Sequence, residues 1–212
     1  MSEQAGETLI TTASMRELEN LLGYRFKDSN LLLQALTHRS YVNEHEGENL
    51  QNNESMEFLG DAVLGFLISS RIFQRYPDLT EGELSKIKAY LVSAVNLVRL
   101  AEAMCLGDYL RLSRGEEKTG GRAKRAIVAD AYEAILGAIY LDGGVEAASA
   151  FVDRQIGEYP EDMAVCHRPC RQGHWLPGHP GRLLGAEYAD RRAGARCSLP
   201  RSCPLAAAPP AR

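Results

Sequence analysis

The sequence predicts an all-α fold for most of the chain, and three observations support this prediction. Apolar residues between Met15 and Tyr159 recur at the three- and four-residue spacing of helices. Residues that favour helix starts and stops separate these runs, and no run alternates apolar and polar residues as a half-buried strand does. With 212 residues, 45% apolar and 25% charged, the chain is long enough for one globular domain with a small appendage.

The first two predicted helices follow clear start signals. Ser14 and Glu17 form a capping box before MRELENLL, and Gly23 suits the stop of that helix. Asp28 is placed to cap the second segment, NLLLQALTH. Two short helices are therefore expected at the start of the helical body.

The centre of the chain predicts three more helices. The apolar segment NNESMEFLGDAVLGFLISS, residues 52–70, begins a long helix that Pro77 must end. Thr80 and Glu83 form a capping box before LSKIKAYLVSA. The segment AVNLVRLAEAMC follows and ends near Gly107.

A polar stretch separates these helices from the last two. Residues 111–125, RLSRGEEKTGGRAKR, are rich in glycine and charge, and we expect them to be irregular. After them, AIVADAYEAILGAIYLD and VEAASAFVDRQIGEY predict two helices with a break at Gly143 and Gly144. The helical body is therefore expected to end near Tyr159.

Composition divides the chain into a flexible N-terminus (1–13), a helical domain (14–159) and a tail (160–212). The tail holds eight of the nine prolines and has arginine but no lysine, and such a composition does not easily bury a core. We expect the tail to be disordered or aberrant. Its mixture of Arg, Pro, Ala, Gly and Cys resembles out-of-frame translation of GC-rich coding sequence.

Four residues of metal-binding type in the tail raise the alternative of a zinc site. No helix or hairpin pattern surrounds them, and the frame-shift hypothesis explains them without a site. We therefore expect no zinc there. The residues are Cys166, Cys170, His174 and His179.

The sequence shows no secretory signal and no membrane-spanning run, which favours a cytoplasmic protein. The N-terminus lacks the cationic segment followed by an apolar one that marks a secretory signal. No uninterrupted apolar run reaches the roughly 18 residues that span a bilayer. We therefore expect a cytoplasmic location and no membrane partner.

The helical part of the chain is acidic. Up to Tyr159 it carries 16 Lys and Arg against 24 Asp and Glu, a net charge of −8. An acidic body repels the phosphates of nucleic acid. Binding to nucleic acid therefore requires a local basic patch or bridging metal ions.

The long central helix carries three acids on one face and no cation. On a helical wheel at about 100° per residue, Glu54, Glu57 and Asp61 fall within about 60° of one another. No Lys or Arg occurs from Asn49 to Ser70. The rest of the wheel is apolar, which predicts a helix that is buried on nearly every side.

A second pair of acids repeats this pattern later in the chain. Asp130 and Glu133 are i, i+3 neighbours on one helix face. No Lys or Arg occurs from Ala126 to Asp153, and the surrounding residues are apolar. The competing interpretation is ordinary acids on a solvated face, but neither helix has much polar face to expose.

A divalent metal ion resolves the repulsion expected among these acids. Buried carboxylates without partners are destabilising and tend to take up protons. Hard oxygen ligands suit Mg²⁺, with Mn²⁺ as an alternative, and point to phosphoryl transfer or phosphodiester hydrolysis. Gly60 and Gly65 weaken the central helix and indicate that another helix packs closely against it.

Four motifs follow one another along the chain: ALTHRSY (35–41), NNESMEFLGDAVL (52–64), LTEGELSKIKAYLVS (79–93) and IVADAYEAILGAIYLDGG (127–144). Together they resemble ribonuclease III, the double-strand-specific endoribonuclease. The resemblance covers most of the chain from about Met15 to Tyr159. It implies an all-α homodimer with one cleavage centre in each subunit, which leaves 5′ phosphates and short 3′ overhangs.

The resemblance also implies roles for individual residues. The metal ligands fall on Glu57, Asp61, Asp130 and Glu133, and the catalytic roles fall on Asp61 and Glu133 in particular. Glu54 and Glu81 match supporting acids near the RNA, and Phe58 matches an aromatic residue of the dimer interface. The implied substrates are ribosomal RNA and other structured precursors, and the implied cofactor is Mg²⁺.

The sequence departs from the family pattern in two places. Ser55 stands where an Arg or Lys is frequent, which removes a charge but no metal ligand. The tail shows none of the pattern of the C-terminal double-stranded-RNA-binding domain, whose task is to recognise A-form RNA by shape and backbone. This second departure raises an alternative function: the protein would be an RNA-binding or regulatory dimer that cleaves RNA with little turnover.

Two further features have a structural and a functional interpretation. His38 lies at helix spacing beside apolar residues, which favours a structural, hydrogen-bonded histidine over a catalytic one. The basic cluster in residues 111–125 is either solvated loop charge or a contact surface for RNA phosphates. Its candidate RNA contacts are Arg114, Lys118, Arg122, Lys124 and Arg125.

Overall fold

Helices form the whole of the regular structure that can be described. The computed structural model describes the backbone of residues 12–156 and the side chains of residues 14–156. Within this range there are eight α-helices, two 3₁₀ turns (Leu106–Tyr109 and Gly121–Ala123) and no strand, so the all-α prediction is confirmed. The helices are α1 (Thr12–Leu22), α2 (Ser29–Ala35), α3 (Arg39–Glu44), α4 (Glu54–Arg75), α5 (Glu81–Leu91), α6 (Ala94–Ala103), α7 (Arg114–Lys118) and α8 (Arg125–Ile156).

The start of α1 corrects one predicted boundary. The helix begins at Thr12, so Ser14 lies in its first turn and is not the N-cap of a box with Glu17. Hydroxyl side chains suited to an N-cap occur at several positions of TTAS, and the pattern does not distinguish among them. The predicted stop is confirmed, because Gly23 adopts the left-handed conformation with φ 66°.

Other predicted caps and breaks are also confirmed. The Asp28 carboxylate accepts a hydrogen bond of 2.9 Å from the Asn30 amide at the start of α2. Thr80 and Glu83 form the reciprocal capping box of α5. Gly144 interrupts α8 with φ 78° and ψ −171°, a conformation that L-residues rarely adopt.

The polar stretch 111–125 is more regular than predicted. Residues 114–118 form the short helix α7, and Ser113 caps it by accepting a 3.1 Å hydrogen bond from the Glu116 amide. The prediction of an irregular segment is therefore wrong at α7. A five-residue helix is too short to show hydrophobic periodicity, so the N-cap is its main sequence signal.

The crossing of α4 and α8 lies at the centre of the domain. A Cβ atom at Gly60 would lie 1.8 Å from the carbonyl oxygen of Glu133, and one at Gly137 would lie 2.3 Å from that of Met56. The two backbones are therefore in direct contact, as the presence of Gly60 predicted. Gly65 does not fit that prediction, because a Cβ there would make an ordinary 3.6 Å contact with Lys88.

One face of α4 contradicts the prediction of burial on nearly every side. Phe58, Phe66 and Phe73 lie within about 80° of one another on a helical wheel. Their side chains are 81%, 60% and 70% exposed. The opposite face, which includes Leu64 and Ile68, is fully buried. Hydrophobicity alone does not say whether the same chain or another molecule covers an apolar face.

Helix α8 is, by length and composition, the one helix in the described part of the chain that would pass as a membrane span. Its apolar residues, however, contribute to the core, where Tyr132, Ile135 and Leu136 are fully buried. The contacts with α4, α6 and α2 surround it. We therefore interpret α8 as the central core helix of the domain.

Asp142 near the break in α8 holds the connection between α1 and α2. Its carboxylate accepts hydrogen bonds from the Tyr24 hydroxyl at 2.6 Å and from the Lys27 and Asp28 amides at 2.9 and 3.0 Å. Burial, together with the hydrogen bond and negative charge of Asp142, raises the pKa of Tyr24 to about 12. The phenol therefore remains a hydrogen-bond donor at neutral pH.

Candidate metal centre

Three carboxylates meet where α4 crosses α8. Glu57 is on α4, and Asp130 and Glu133 are one turn apart on α8. One oxygen from each side chain can be chosen so that all three lie within 4.8 Å of one another. The three residues are half-buried. The close approach of the two backbones at Gly60 brings acids that are far apart in sequence into one group, which we call the carboxylate cluster.

The carboxylate cluster holds more negative charge than its surroundings readily solvate. Burial, followed by the charges of Asp61, Glu57 and Asp130, raises the pKa of Glu133 to about 7. Burial and the neighbouring acids also raise the pKa of Glu57 above its usual range. Burial raises the pKa of Asp130 in the same way. The cluster therefore favours either protons or a bound cation.

The donor set fits a hard divalent cation. The cluster offers carboxylate oxygens alone, with no thiolate, and oxygen ligands are those that Mg²⁺ and Mn²⁺ prefer. The negative charges that raise the pKa of Glu133 would be neutralised by such an ion. The arrangement can therefore hold a metal at a position where a phosphate would otherwise be repelled.

The other predicted acids lie at different places around the cluster. Asp61 is exposed and lies outside the group of three, although its charge contributes to the raised pKa of both Glu57 and Glu133. Glu54 also raises the pKa of Glu57. Glu81 begins α5, where its carboxylate accepts a 2.7 Å hydrogen bond from the Ser85 hydroxyl. The structure thus brings together three of the four predicted ligands.

Arg39 is a residue near the cluster that the sequence pattern did not reveal. Its guanidinium Nη1 lies 3.5 Å from Oε1 of Glu54, so the first turn of α4 has a cationic partner after all. The partner comes from α3, which nine residues separate from α4. Neither hydrophobic periodicity nor local charge spacing indicates such a pairing between helices.

His38 has the structural role that the sequence predicted. Its ring caps α3, where Nδ1 accepts a 3.2 Å hydrogen bond from the Ser40 amide. Nδ1 is thus unprotonated, and a neutral ring carries its proton on Nε2. Burial lowers the pKa of His38, against the attraction of Glu116 and other acids. The lowered pKa favours the neutral form of the histidine.

A short backbone junction places residues 36–38, which lead into α3, beside the start of α4. The Thr37 carbonyl accepts a 2.9 Å hydrogen bond from the Asn53 amide. On its other side, the Arg111 amide donates to the Leu36 carbonyl at 2.8 Å, and the His38 amide donates to the Arg111 carbonyl at 3.0 Å. The junction joins α3, the start of α4 and the basic segment.

The five basic residues predicted to contact RNA fall into two groups. The guanidinium of Arg122 donates to the carbonyls of Gly107, Asp108 and Leu110 at 2.9, 3.2 and 2.8 Å, and pairs with Glu117. Lys124 pairs with Glu116. Both side chains therefore have structural partners. Arg114, Lys118 and Arg125 are exposed, as Lys124 is, but form no ion pair with another residue of the described part of the chain.

The raised pKa of Glu133 predicts how the stability of the metal-free protein depends on pH. The ordinary pKa of 4.5 rises to about 7 on folding, so the folded state binds more protons between these values. Stability must then fall as pH rises from 4.5 to 7, by on the order of 1–3 kcal/mol after allowance for partial exposure. Urea unfolding in EDTA at pH 5 and pH 8 measures this difference.

The control for that experiment is Glu133→Gln, which has no proton to lose. This variant should show a smaller loss of stability between pH 5 and pH 8 than the unsubstituted protein. The same loss in both proteins would contradict the assignment of the raised pKa to Glu133.

Comparison with known proteins finds one family over the whole of this region. A family model described as Ribonuclease-III-like matches residues 28–159. The matched range contains α2 to α8 and all the acids of the carboxylate cluster.

Curated relatives are similar over the same part of the chain. The Ribonuclease 3 of Listeria monocytogenes serotype 4b is 49% identical over 140 residues, which are 66% of this chain and 61% of that protein. The Ribonuclease 3 of Solibacter usitatus is 51% identical over 148 residues, 68% of this chain and 55% of that protein. The chain thus spans less than two thirds of the length of these relatives.

Solved structures agree with the sequence comparison. The nuclease domain of ribonuclease III from Campylobacter jejuni superimposes with a TM-score of 0.62 at 42% identity, covering 67% of this chain and 95% of that domain. In that nuclease domain, the region involved in dimer formation is structurally flexible. A second structure of the same nuclease domain gives a TM-score of 0.61 at 39% identity, covering 68% of this chain and 97% of that domain.

Proposed function

Because this chain belongs to the ribonuclease III family, we propose that it is a divalent-metal-dependent endoribonuclease that cleaves double-stranded RNA. The observation that carries the proposal is the carboxylate cluster of Glu57, Asp130 and Glu133, whose oxygens converge within 4.8 Å. Mutually repelling acids that are half-buried at a helix crossing destabilise the fold unless a cation binds them, so their presence favours a functional metal site.

The residues that would hold the metal are the carboxylate cluster and the neighbouring Asp61. When bound, Mg²⁺ or Mn²⁺ supplies Lewis-acid activation of water and neutralises charge on the scissile phosphate. The protein holds its carboxylates at a fixed helix crossing, so the ligands need little rearrangement when phosphate and metal arrive. Catalytic roles for Asp61 and Glu133 are part of this proposal.

The proposed reaction is hydrolysis of a phosphodiester bond. Water adds to the phosphorus, the bond to the 3′ oxygen breaks, and a proton from the water passes to that oxygen, which leaves a 5′ phosphate and a 3′ hydroxyl. Two cleavage centres in a homodimer would cut both strands and leave short 3′ overhangs. Ribosomal RNA and other structured precursors are the proposed substrates, with the cytoplasm as the place of action.

A homodimer is supported by the exposed apolar face of α4. Phe58, Phe66 and Phe73 expose large aromatic side chains on this one face, and such a patch marks an interaction surface. A Campylobacter jejuni relative has a region involved in dimer formation within the same kind of nuclease domain. We therefore propose that two copies of the chain pair through this face of α4.

Phe58→Asp is expected to convert the dimer into a monomer at micromolar concentration. A buried carboxylate at the interface would be desolvated without a partner. Light scattering coupled to gel filtration measures the mass. Leu141→Asp is the control, since Leu141 is also exposed, at 52%, but lies on α8. A dimer that survives Phe58→Asp would argue against pairing through this face.

Contact with RNA is proposed for the exposed basic residues whose side chains form no ion pair within residues 14–156. Arg114, Lys118 and Arg125 fit this description better than Arg122 and Lys124, which pair with acids of their own segment. Phosphate contacts of this kind give affinity without sequence preference and weaken as salt rises. The proposed substrate is therefore recognised as a backbone shape, as A-form RNA generally is.

The experiment that tests this function compares nucleic acids of one sequence and length. Labelled duplex RNA, single-stranded RNA and duplex DNA are each incubated with the protein in Mg²⁺ and in excess EDTA. We expect discrete short products from duplex RNA in Mg²⁺ alone. Retention of duplex RNA without products would instead favour the alternative of an RNA-binding dimer with little turnover.

A further inference from the structure

The structure supports a substrate contact that goes one step beyond the proposed function and rests on it. We propose that Arg39 binds a backbone phosphate of the RNA beside the carboxylate cluster, and that Glu54 is a positioning residue that acts through Arg39.

The position of Arg39 follows from the backbone junction between α3 and α4. The Thr37 carbonyl accepts from the Asn53 amide at 2.9 Å, which brings the residues that follow Thr37 against the first turn of α4. Nη1 of Arg39 then lies 3.5 Å from Oε1 of Glu54. The guanidinium therefore lies at the N-terminal end of α4, whose first turn also carries Glu57 of the cluster.

The pairing leaves the guanidinium accessible to a ligand. The Arg39 and Glu54 side chains are 67% and 52% exposed, and exposed ion pairs of this kind contribute little to stability. The 3.5 Å separation is longer than a charge-assisted hydrogen bond, so Glu54 does not saturate the donors of Arg39. Bidentate contact with a phosphate suits a guanidinium particularly well.

Glu54 is fixed from its own side. Its second carboxylate oxygen accepts a 3.0 Å hydrogen bond from the Asn52 side-chain amide, and its backbone amide donates to the Asn52 side chain at 3.2 Å. The carboxylate can therefore orient Arg39 without itself joining the cluster. This arrangement gives a physical account of an acid that lies one helical turn before Glu57 but outside the group of converging oxygens.

Local charge explains why a cation is needed here. The cluster and its neighbours Glu54 and Asp61 form an acidic surface, and no Lys or Arg occurs in the sequence from Asn49 to Ser70. One metal-bound phosphate would be compensated by the metal, but the adjacent phosphates of the same strand would face carboxylates. Arg39 supplies positive charge from another helix at the edge of this surface.

The experiment uses a matched pair of exposed arginines. Arg25 pairs with Glu19 at 3.7 Å and is also 67% exposed, so Arg25→Gln removes the same charge from the connection between α1 and α2, outside the junction that joins α3 to α4. Steady-state cleavage of labelled duplex RNA in Mg²⁺ is measured at several KCl concentrations for Arg39→Gln, Arg39→Lys and Arg25→Gln. Thermal melting and Mn²⁺ binding check that each variant is folded with its metal site intact.

Arg39→Gln is expected to raise KM by about five- to tenfold with less than about a twofold change in kcat, because one phosphate contact is lost. The dependence of log(1/KM) on log salt should become less steep by about one. Arg39→Lys should recover part of the loss. Arg25→Gln should match the unsubstituted protein. Equal KM and salt dependence for Arg39→Gln and Arg25→Gln would overturn the phosphate contact.

Glu54→Gln tests the positioning role. It is expected to raise KM by about two- to fivefold alone and to have no further effect when combined with Arg39→Gln, because coupled residues are not additive. Fully additive effects would overturn the claim that Glu54 acts through Arg39. If the unsubstituted protein neither binds nor cleaves duplex RNA, the proposed function fails, and this inference fails with it.

Discussion

Glu133→Gln is expected to reduce cleavage of duplex RNA by at least about 100-fold while leaving a folded dimer. Glu133 is the most strongly perturbed member of the carboxylate cluster, with a pKa raised to about 7 by burial and three neighbouring acids. Glutamine keeps the size of the side chain but removes the negative charge that would hold a cation. Asp61→Asn is expected to have a comparable effect, because Asp61 contributes to the same field from the exposed side.

The control for these variants is Glu146→Gln. Glu146 is an exposed acid on the same helix as Glu133 but lies beyond the break at Gly144. Its neutralisation changes the net charge by the same amount and should leave the cleavage rate within about twofold, since surface substitutions away from such sites have small effects. Normal cleavage by both Glu133→Gln and Asp61→Asn would refute the catalytic role assigned to these acids.

Gly60→Ala is expected to lower the free energy of unfolding by at least about 2–4 kcal/mol. The added Cβ would lie 1.8 Å from the carbonyl oxygen of Glu133, and this neighbour is backbone, so α4 and α8 would have to separate. Because Glu57 and Glu133 lie on opposite sides of this crossing, we also expect Mn²⁺ affinity to fall in whatever fraction remains folded. Urea unfolding and Mn²⁺ titration measure the two effects.

A second glycine provides the control for that substitution. Gly82 lies in the first turn of α5, and a Cβ there would have nothing within 4 Å. Gly82→Ala should therefore be neutral or stabilising by up to about 1 kcal/mol, because alanine favours the helix. If Gly60→Ala proved as stable as Gly82→Ala, the account of the close crossing would be wrong.

Local signals predicted the helices well because caps and breaks depend on neighbouring residues. Asp28, the box of Thr80 and Glu83, and the break at Gly144 each act within one or two turns, so a short stretch of sequence contains their cause. The helix start near Ser14 was misplaced because several hydroxyl residues there serve equally well as caps. Predictions about the tail and its cysteines fall outside the described residues.

The candidate site was predictable only in part. The spacing of Asp130 and Glu133 places them on one face of α8, and the lack of cations marks both helices as unusual. Gly60 predicted that another helix packs closely against α4, but not which helix. That Glu57 shares a site with this pair was implied by the resemblance to a family and not by helix periodicity. The pairing of Arg39 with Glu54 depends on a backbone junction between separate helices, and no local pattern encodes it.

The partition of the basic segment shows the same limit of sequence patterns. Charge count alone treats Arg122 and Arg125 as equivalent, yet Arg122 donates to three carbonyls of the Gly107–Leu110 turn while Arg125 is exposed. Whether a cation binds its own chain or a ligand depends on which carbonyls and acids the fold brings within reach. The exposed aromatic face of α4 is similar, since its apolar pattern does not specify what covers it.

The central claim is that the carboxylate cluster is a metal site. Its most direct test is to titrate the metal-free protein with Mn²⁺, without RNA, and to measure binding by electron paramagnetic resonance. The carboxylate cluster predicts saturable binding of at least one Mn²⁺ per chain, weakening as pH falls below about 7, where Glu133 takes up its proton. Glu133→Gln should lose most of this binding, and Glu146→Gln should retain it. Identical Mn²⁺ binding by all three proteins would contradict the assignment of the cluster as the metal site.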